Sequence, residues 1–139
     1  MRPRSIAEVA ERANATPRTF DAAVREFLDA WQSLSARTRA EALREEPASV
    51  GRIPDAYLAA LAEHLALEER VLAPAWTEHS DRFLTEPFFA GGLESLKALL
   101  LVESPLAFRR RLIFISADAL FRPRREFIQE NALTAALDV

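Results

Sequence analysis

Residues 54 to 72 read PDAYLAALAEHLALEERVL, and this stretch decides the class of fold. Its apolar side chains recur at spacings of three and four residues, which places them on one face of an α-helix. Pro54 suits the first turn of a helix, and Pro74 cannot continue one. The stretch therefore predicts an amphipathic helix from Pro54 to about Leu72. The side chains expected to face the core are Tyr57, Leu58, Leu61, Leu65 and Leu72.

Helical spacing continues on both sides of this stretch, and strand-like alternation is scarce. Ser5 and Glu8 form an S-x-x-E capping box, which indicates the start of a first helix. The run LKALLLV at residues 96–102 is apolar nearly all round, which is typical of a central, buried helix. We therefore predict an all-α, single compact domain of about six to eight helices. They cover about 6–14, 19–33, 36–45, 54–72 and 93–102, followed by one opened by Ser104 and Pro105, one from Ser116 to Leu120, and a last one to about residue 137.

Composition excludes several classes of function. The 139 residues carry a net charge of -3, so the chain lacks the positive field that accompanies most duplex-binding proteins. There is no cysteine and there are only two histidines, which rules out a thiolate nucleophile and a histidine-rich metal site. The N-terminal MRPRSIAEVAERA lacks the apolar stretch of a secretion signal, and no window reaches the roughly 18 apolar residues that span a bilayer. We expect a cytoplasmic protein without a cofactor.

Three consecutive arginines stand in the segment ESPLAFRRRLIF, residues 103 to 114. At 100° per residue, Arg109 shares the apolar face of a helix with Phe108, whereas Arg110 and Arg111 lie on its flanks. A guanidinium group that points towards the core needs a carboxylate partner. Arg109 is therefore expected to form a structural ion pair, which leaves Arg110 and Arg111 as available cations. The pairing expected is with Glu103, and Glu94 and Glu68 are the alternatives.

Aromatic residues are dense in the segment PAWTEHSDRFLTEPFFAGG, residues 74 to 92. Ser80 is expected to cap a short helix here, with little other regular structure. The aromatic side chains could fasten a long loop to the core, or they could form a patch that binds a partner. Both readings stay open at this point. The residues concerned are Trp76, Phe83, Phe88 and Phe89.

Catalytic patterns are poor. His64 and Glu68 stand four residues apart on a helix, but zinc or iron would need further ligands from other helices. The serines lack a G-x-S-x-G context, and no glycine-rich loop could hold a phosphate. We expect no enzymatic activity and no metal site.

Residues 5–31 leave a DNA-binding alternative. The stretch SIAEVAERANATPRTFDAAVREFLDA resembles the helix-turn-helix of AraC-type regulators, with TPRTF at the turn into the recognition helix. However, Asp21 and Glu26 would face DNA phosphates and repel them. Phe27 and Trp31 continue the second helix as a core stripe. A DNA-binding transcriptional regulator is kept as the alternative function, although DNA is not the expected partner.

A second resemblance covers nearly the whole chain. It rests on FDAAVREFLD at residues 20–29, DAYLAALAEHLA at 55–66, PAWTE and DRFL after them, and GLESLKALLLVESPLAFRRRLIFISADAL at 92–120. These segments resemble a family of small bacterial proteins encoded beside nucleotidyltransferase-like proteins of the kind found as toxins in toxin–antitoxin pairs. On this basis the domain divides into N-terminal helices (1–46), a family core (53–121) and a C-terminal helix (122–139).

The resemblance implies a non-enzymatic antitoxin or accessory subunit that binds a nucleotidyltransferase-like protein from a neighbouring gene. Such transferases hold their metal with acidic residues, so a basic surface could occupy the acidic cleft. An aromatic surface could equally form the contact, and association of the chain with itself is left open. The residues implicated in partner binding are Arg110, Arg111, Arg124, Arg125, Trp76, Phe88 and Phe89.

Overall fold

The computed structural model describes residues 1–91 and 97–120, and it is mostly helical, which confirms the predicted all-α fold. Short 3-10 turns cover Ala75–Glu78, Ser80–Arg82 and Ala117–Leu120. The helices are α1 (Ile6–Ala15), α2 (Phe20–Trp31), α3 (Ala36–Arg44), α4 (Arg52–Glu68), α5 (Lys97–Glu103) and α6 (Leu106–Arg109), and the strands are β1 (Phe88–Phe89) and β2 (Ile113–Phe114).

Local capping fixes the start of the first helix. Ser5 Oγ accepts a hydrogen bond from the Glu8 N–H at 3.1 Å, as expected for a capping box. The Glu8 carboxylate reaches one residue further back than the usual partner and accepts from the Arg4 N–H at 2.6 Å. The predicted capping of α1 by Ser5 is therefore confirmed. The Glu8 carboxylate, however, accepts its hydrogen bond from the N–H of Arg4 rather than from that of Ser5.

The centre of the core is α4, whose side chains from Ala56 to Ala66 are buried except for Tyr57 and His64, which are half-buried. The helix packs against α3, α6 and the first two 3-10 turns. Alanines at five positions of this segment let the neighbouring elements approach closely. The core side chains around α4 include Ile6, Val9, Phe27, Trp31, Leu43, Phe108, Ile113 and Ile115.

The end of α4 differs from the expected one. The N–H of Arg70 bonds to the Leu67 carbonyl and that of Val71 to the Ala66 carbonyl, which is the Schellman pattern, and Arg70 has a φ of 58°. The helix therefore ends at Glu68. The prediction that Leu72 faces the core is wrong, because Leu72 follows this reversal and is 96% exposed.

A two-stranded parallel sheet was not predicted. Phe88 pairs with Ile113 and Phe89 with Phe114, and the N–H groups of Phe88 and Ala90 donate to the carbonyls of Leu112 and Phe114 at 2.8 and 3.0 Å. Strands of two residues are too short to show alternation in a sequence. The chain reverses into β2 at Leu112, whose φ is 61°.

The helix predicted for residues 93–102 is present from Lys97 onward, but the prediction that it is central and buried is wrong. The helix α5 covers Lys97–Glu103, and of its side chains only Leu100 is buried. The predicted start at Leu93 and the predicted helix of residues 122–139 lie outside the described residues. Within the described ranges, no helix is long and apolar enough to cross a membrane.

Candidate functional site

Arg111 is enclosed completely by the protein, with a relative exposure of 0%. Its Nη1 donates to Glu63 Oε1 at 2.5 Å and to the Ala107 carbonyl at 2.9 Å, and its Nη2 donates to the Thr77 carbonyl at 2.7 Å. The guanidinium carbon lies 4.5 Å from the centre of the Phe83 ring. Arg111 therefore joins α6, α4 and a 3-10 turn, and the prediction that it is a surface cation for a partner is wrong.

Arg110 lies at the mouth of the same cluster, with 35% of its side chain exposed. Its Nη1 donates to both Glu63 oxygens at 2.6 and 2.7 Å, and its Nη2 donates to Glu78 Oε2 at 3.0 Å. The Phe83 ring lies beneath this guanidinium too, at 5.5 Å. Arg110 is therefore already paired, and it is a weak candidate for a second, acidic partner.

The four charged groups of this cluster compensate one another. Burial alone would raise the pKa of Glu63, but hydrogen bonds from Arg111 and Arg110 outweigh burial and lower it below its ordinary value. Burial lowers the pKa of Arg111, and Glu63 opposes that shift. Because both Glu63 oxygens already accept hydrogen bonds from guanidinium groups, this carboxylate is unsuited to act as a general base. The cluster holds α4, α6 and the first 3-10 turn together.

Arg109 has the opposite environment from the expected one. It is exposed at the end of α6, and its side chain forms no hydrogen bond or ion pair with any described residue. The buried face of this segment consists of Ala107, Phe108 and Arg111. The expected pair of Arg109 with Glu103 is therefore replaced by the pair of Arg111 with Glu63, because α6 ends at Arg109 and the chain turns before it reverses at Leu112.

The aromatic side chains that follow Pro74 fasten their segment to the body of the protein. Trp76 is 5% exposed, and its Nε1 donates to the Leu43 carbonyl at 3.1 Å. Phe89 is half-buried and stacks on Phe114 with ring centres 4.9 Å apart. Phe88 is half-buried in β1. Since these side chains are engaged within the fold, their proposed role in partner binding receives no support from their placement.

Arg124 and Arg125, also expected to contact a partner, lie outside the described residues.

A second buried arginine was missed by the sequence reasoning. Arg82 is 3% exposed and donates to the carbonyls of Pro47 and Asp55 at 2.8 and 3.3 Å, while its guanidinium lies 5.0 Å from the Trp76 ring centre. Asp55 in turn accepts from the Val50 N–H at 2.7 Å. These contacts fix the segment before α4. A lone arginine in a charged loop carries no sequence signal of such a role.

Metal-binding geometry is absent from the described residues. His64 Nε2 lies 3.1 Å from Glu68 Oε1, as the spacing of four residues predicts. His79 Nδ1 lies 3.2 Å from Glu46 Oε2. No group of three or more histidine, aspartate or glutamate side chains converges among the residues that the structure describes.

The first two helices have an acidic surface. The exposed or half-buried charged residues of α1 and α2 comprise five carboxylates and two arginines, and Arg12 pairs with Glu26 at 2.5 Å. Ala23, Phe27 and Trp31 of α2 are buried. A surface of this sign repels the phosphates of DNA, which disfavours the helix-turn-helix alternative.

The outer face of α5 and the start of α6 is apolar. Leu99 is 51% exposed, Leu101 46%, Val102 77% and Leu106 59%. Adjacent exposed leucine and valine side chains are unusual on a small protein and mark surfaces where another molecule binds. This face, defined by these four residues, is named the α5 face below.

The chain matches no protein-family model, no curated protein sequence and no solved structure.

Proposed function

We propose that this protein is a non-enzymatic binding subunit, an antitoxin or accessory subunit that binds a nucleotidyltransferase-like protein encoded by a neighbouring gene in the bacterial cytoplasm. The observation that carries the proposal is the α5 face. Its four apolar side chains remain exposed although the chain has a well-filled core around α4. An apolar surface of this kind is stabilised when a partner covers it.

The polar clusters support a binding role rather than a catalytic one. Glu63 accepts a hydrogen bond from Arg111, and Arg82 donates hydrogen bonds to backbone carbonyls. A catalytic acid or base needs an available proton or an available lone pair that is directed at an open cleft. Within the described residues, these clusters are closed and hold elements of the fold together.

The class of partner comes from the resemblance of the second half of the chain, above all the segment ESPLAFRRR, to proteins encoded beside nucleotidyltransferase-like toxins. In that setting, a subunit without catalytic groups would act by covering its partner or by holding it in an inactive conformation. The expectation that Arg110 and Arg111 enter the acidic cleft of the transferase loses its support, since both arginines are engaged by Glu63.

Purification with the adjacent gene product tests the proposal. The two proteins should elute together in size-exclusion chromatography, and the subunit should reduce nucleotide transfer by that partner. An unrelated helical protein of similar size serves as the control for non-specific inhibition. Separate elution at micromolar concentrations of both proteins would refute the proposal.

A parallel measurement decides between this function and the DNA-binding alternative. The purified chain is titrated into a fluorescent duplex that carries the upstream region of its own gene. We expect no change in anisotropy at physiological salt. Saturable binding that weakens steeply with added salt would instead favour the transcriptional regulator.

A further inference from the structure

We infer that the α5 face and Arg109 together form the docking surface, and that it fits a protein surface with an apolar recess bordered by a carboxylate. The inference rests on the proposed function for the identity of the partner, a nucleotidyltransferase-like protein. The chemistry of the surface is derived from the exposed residues of α5 and α6.

The apolar side chains of α5 form a continuous stripe on its outer side. At 100° per residue, Leu101, Val102 and Leu99 fall within an arc of about 160°, with Val102 near its centre. Val102 is also the most exposed of the three, at 77%. Leu100 points the opposite way and is 5% exposed. The stripe is therefore a true outer face of a helix that is anchored through Leu100.

Leu106 extends this stripe onto α6. Only Ser104 and Pro105 separate the two helices, and four residues of chain place the Val102 and Leu106 Cα atoms within about 14 Å of each other. Ser104 is buried, and its hydroxyl donates to the Leu100 carbonyl at 2.5 Å and accepts from the Ile115 N–H at 2.8 Å. The junction between the helices is thus held in place, so that the two exposed apolar segments keep a fixed position relative to each other.

Arg109 supplies a charge at the end of this surface. It stands three residues after Leu106 on α6, a spacing that places both side chains on the same side of a helix. Arg110 and Arg111 are paired with carboxylates, whereas Arg109 has no side-chain partner among the described residues. An exposed arginine beside exposed apolar side chains has the composition of an interface anchor. A partner that covers the α5 face is therefore expected to place a carboxylate near Arg109.

The charge pattern also distinguishes a different protein from a second copy of this chain. From residue 97 to residue 112 the exposed side chains are apolar or arginine, and the one carboxylate, Glu103, is half-buried. In a symmetric pairing of this surface with itself, Arg109 of each copy would meet no exposed carboxylate from residues 97–112 of the other copy, which leaves its charge without compensation. A partner that holds a metal with acidic residues offers the missing charge.

Two substitutions and two matched controls test the surface in the full-length chain. Val102→Asp places a charge at the centre of the α5 face, and Leu72→Asp places the same charge at another exposed apolar residue. Arg109→Ala removes the unpaired guanidinium, and Arg25→Ala removes an exposed arginine from α2. Thermal melting by circular dichroism shows that each variant is folded. Binding to the neighbouring transferase is measured by calorimetry at low and high salt.

We expect Val102→Asp to weaken binding at least about 30-fold at both salt concentrations, as for a residue at the centre of an interface. Arg109→Ala should weaken it about 10-fold at low salt and much less at high salt, because salt screens an exposed ion pair. The controls should bind within about threefold of wild type.

The outcomes separate the inference from the proposed function. If the wild-type chain binds the transferase and Val102→Asp binds it equally well, the α5 face is not the docking surface, while the proposed function stands. If the wild-type chain does not bind, both fail. A wild-type dimer that Val102→Asp converts to a monomer would assign the face to a second copy instead. Loss of hydrogen-exchange protection in residues 121–139 of that variant, with unchanged binding, would assign it to the chain's own end.

Discussion

Arg111 and Glu63 stand 48 residues apart in the sequence and meet inside the protein, with Nη1 and Oε1 separated by 2.5 Å. The arginine is fully buried, and the glutamate side chain is 10% exposed. Such a pair need not add net stability, because both charges lose their hydration. The two charges nevertheless depend on this contact unequally: Arg111 would be buried without compensation if Glu63 were removed, whereas Glu63 would still accept hydrogen bonds from Arg110 if Arg111 were removed.

The first prediction concerns the three consecutive arginines. Arg111→Ala should lower the free energy of unfolding by about 3–5 kcal/mol, because it leaves a cavity and removes the donors to Glu63 and to the carbonyls of Ala107 and Thr77. Arg109→Ala should change it by no more than about 0.5 kcal/mol, since that side chain is exposed and unpaired among the described residues. Urea unfolding of both variants provides the measurement. Equal losses would contradict the placement of these side chains.

The second prediction is a dependence on pH. The pKa of Glu63 is lowered in the folded protein, so the unfolded chain takes up this proton first as the pH falls. The contribution of the ionised carboxylate is therefore fully present above its ordinary pKa of about 4.3 and is lost as the pH falls through the lower, folded value. Glu63→Gln mimics the protonated form. The difference in unfolding free energy between wild type and this variant should be constant near neutral pH and shrink below about pH 4.3. A difference that grows in acid would show that the sign is wrong.

The third prediction concerns the end of α4. Arg70 is exposed and adopts a φ of 58°, a conformation that costs an L-residue about 1–2 kcal/mol and glycine little. Arg70→Gly should raise the free energy of unfolding by about 0.5–1 kcal/mol, after allowance for the entropy of glycine in the unfolded chain. Arg70→Ala is the control, because it removes the same side chain and keeps the strain. Equal stability of the two variants would argue against the Schellman geometry.

The fourth prediction compares two neighbours on α5. Leu100→Asp buries an unpaired charge and should lower the free energy of unfolding by about 3 kcal/mol or more. Val102→Asp should stay within about 0.5 kcal/mol of wild type, because the side chain is 77% exposed. Thermal and urea unfolding together check both values. Leu99→Asp should also be tolerated, contrary to the expectation drawn from the apolar run, because Leu99 is 51% exposed.

The features that the sequence predicts well depend on contacts within a helical turn or two. The Ser5 cap and the core stripe of Phe27 and Trp31 are set by spacings of three and four residues, and the structure has them as expected. The long helix α4 is likewise recognised from its own residues. Its end at Glu68 is not, because the reversal places a positive φ on Arg70, where no glycine marks the turn.

The candidate site depends on information that the sequence does not carry locally. The helix α6 is only four residues long, and Leu112 reverses the chain at a φ of 61°. These two features decide that Arg111, rather than Arg109, points inward. Similarly, residues 98–102 of α5 are all apolar and give no sign of which side of the helix faces water, because any orientation exposes apolar groups.

We expect the short sheet to open more easily than the helical core. The pairing of Phe88 and Phe89 with Ile113 and Phe114 closes the segment that carries α5 and α6 into a loop, and few main-chain bonds secure it. A pair of two-residue strands can open while the α1–α4 core and the packing of α6 on α4 stay intact. In native-state hydrogen exchange, the amides of Phe88 and Ala90 should therefore exchange together through an opening cheaper than global unfolding. Exchange of both amides at the same free energy as those of α4 would show instead that the whole chain opens as one unit.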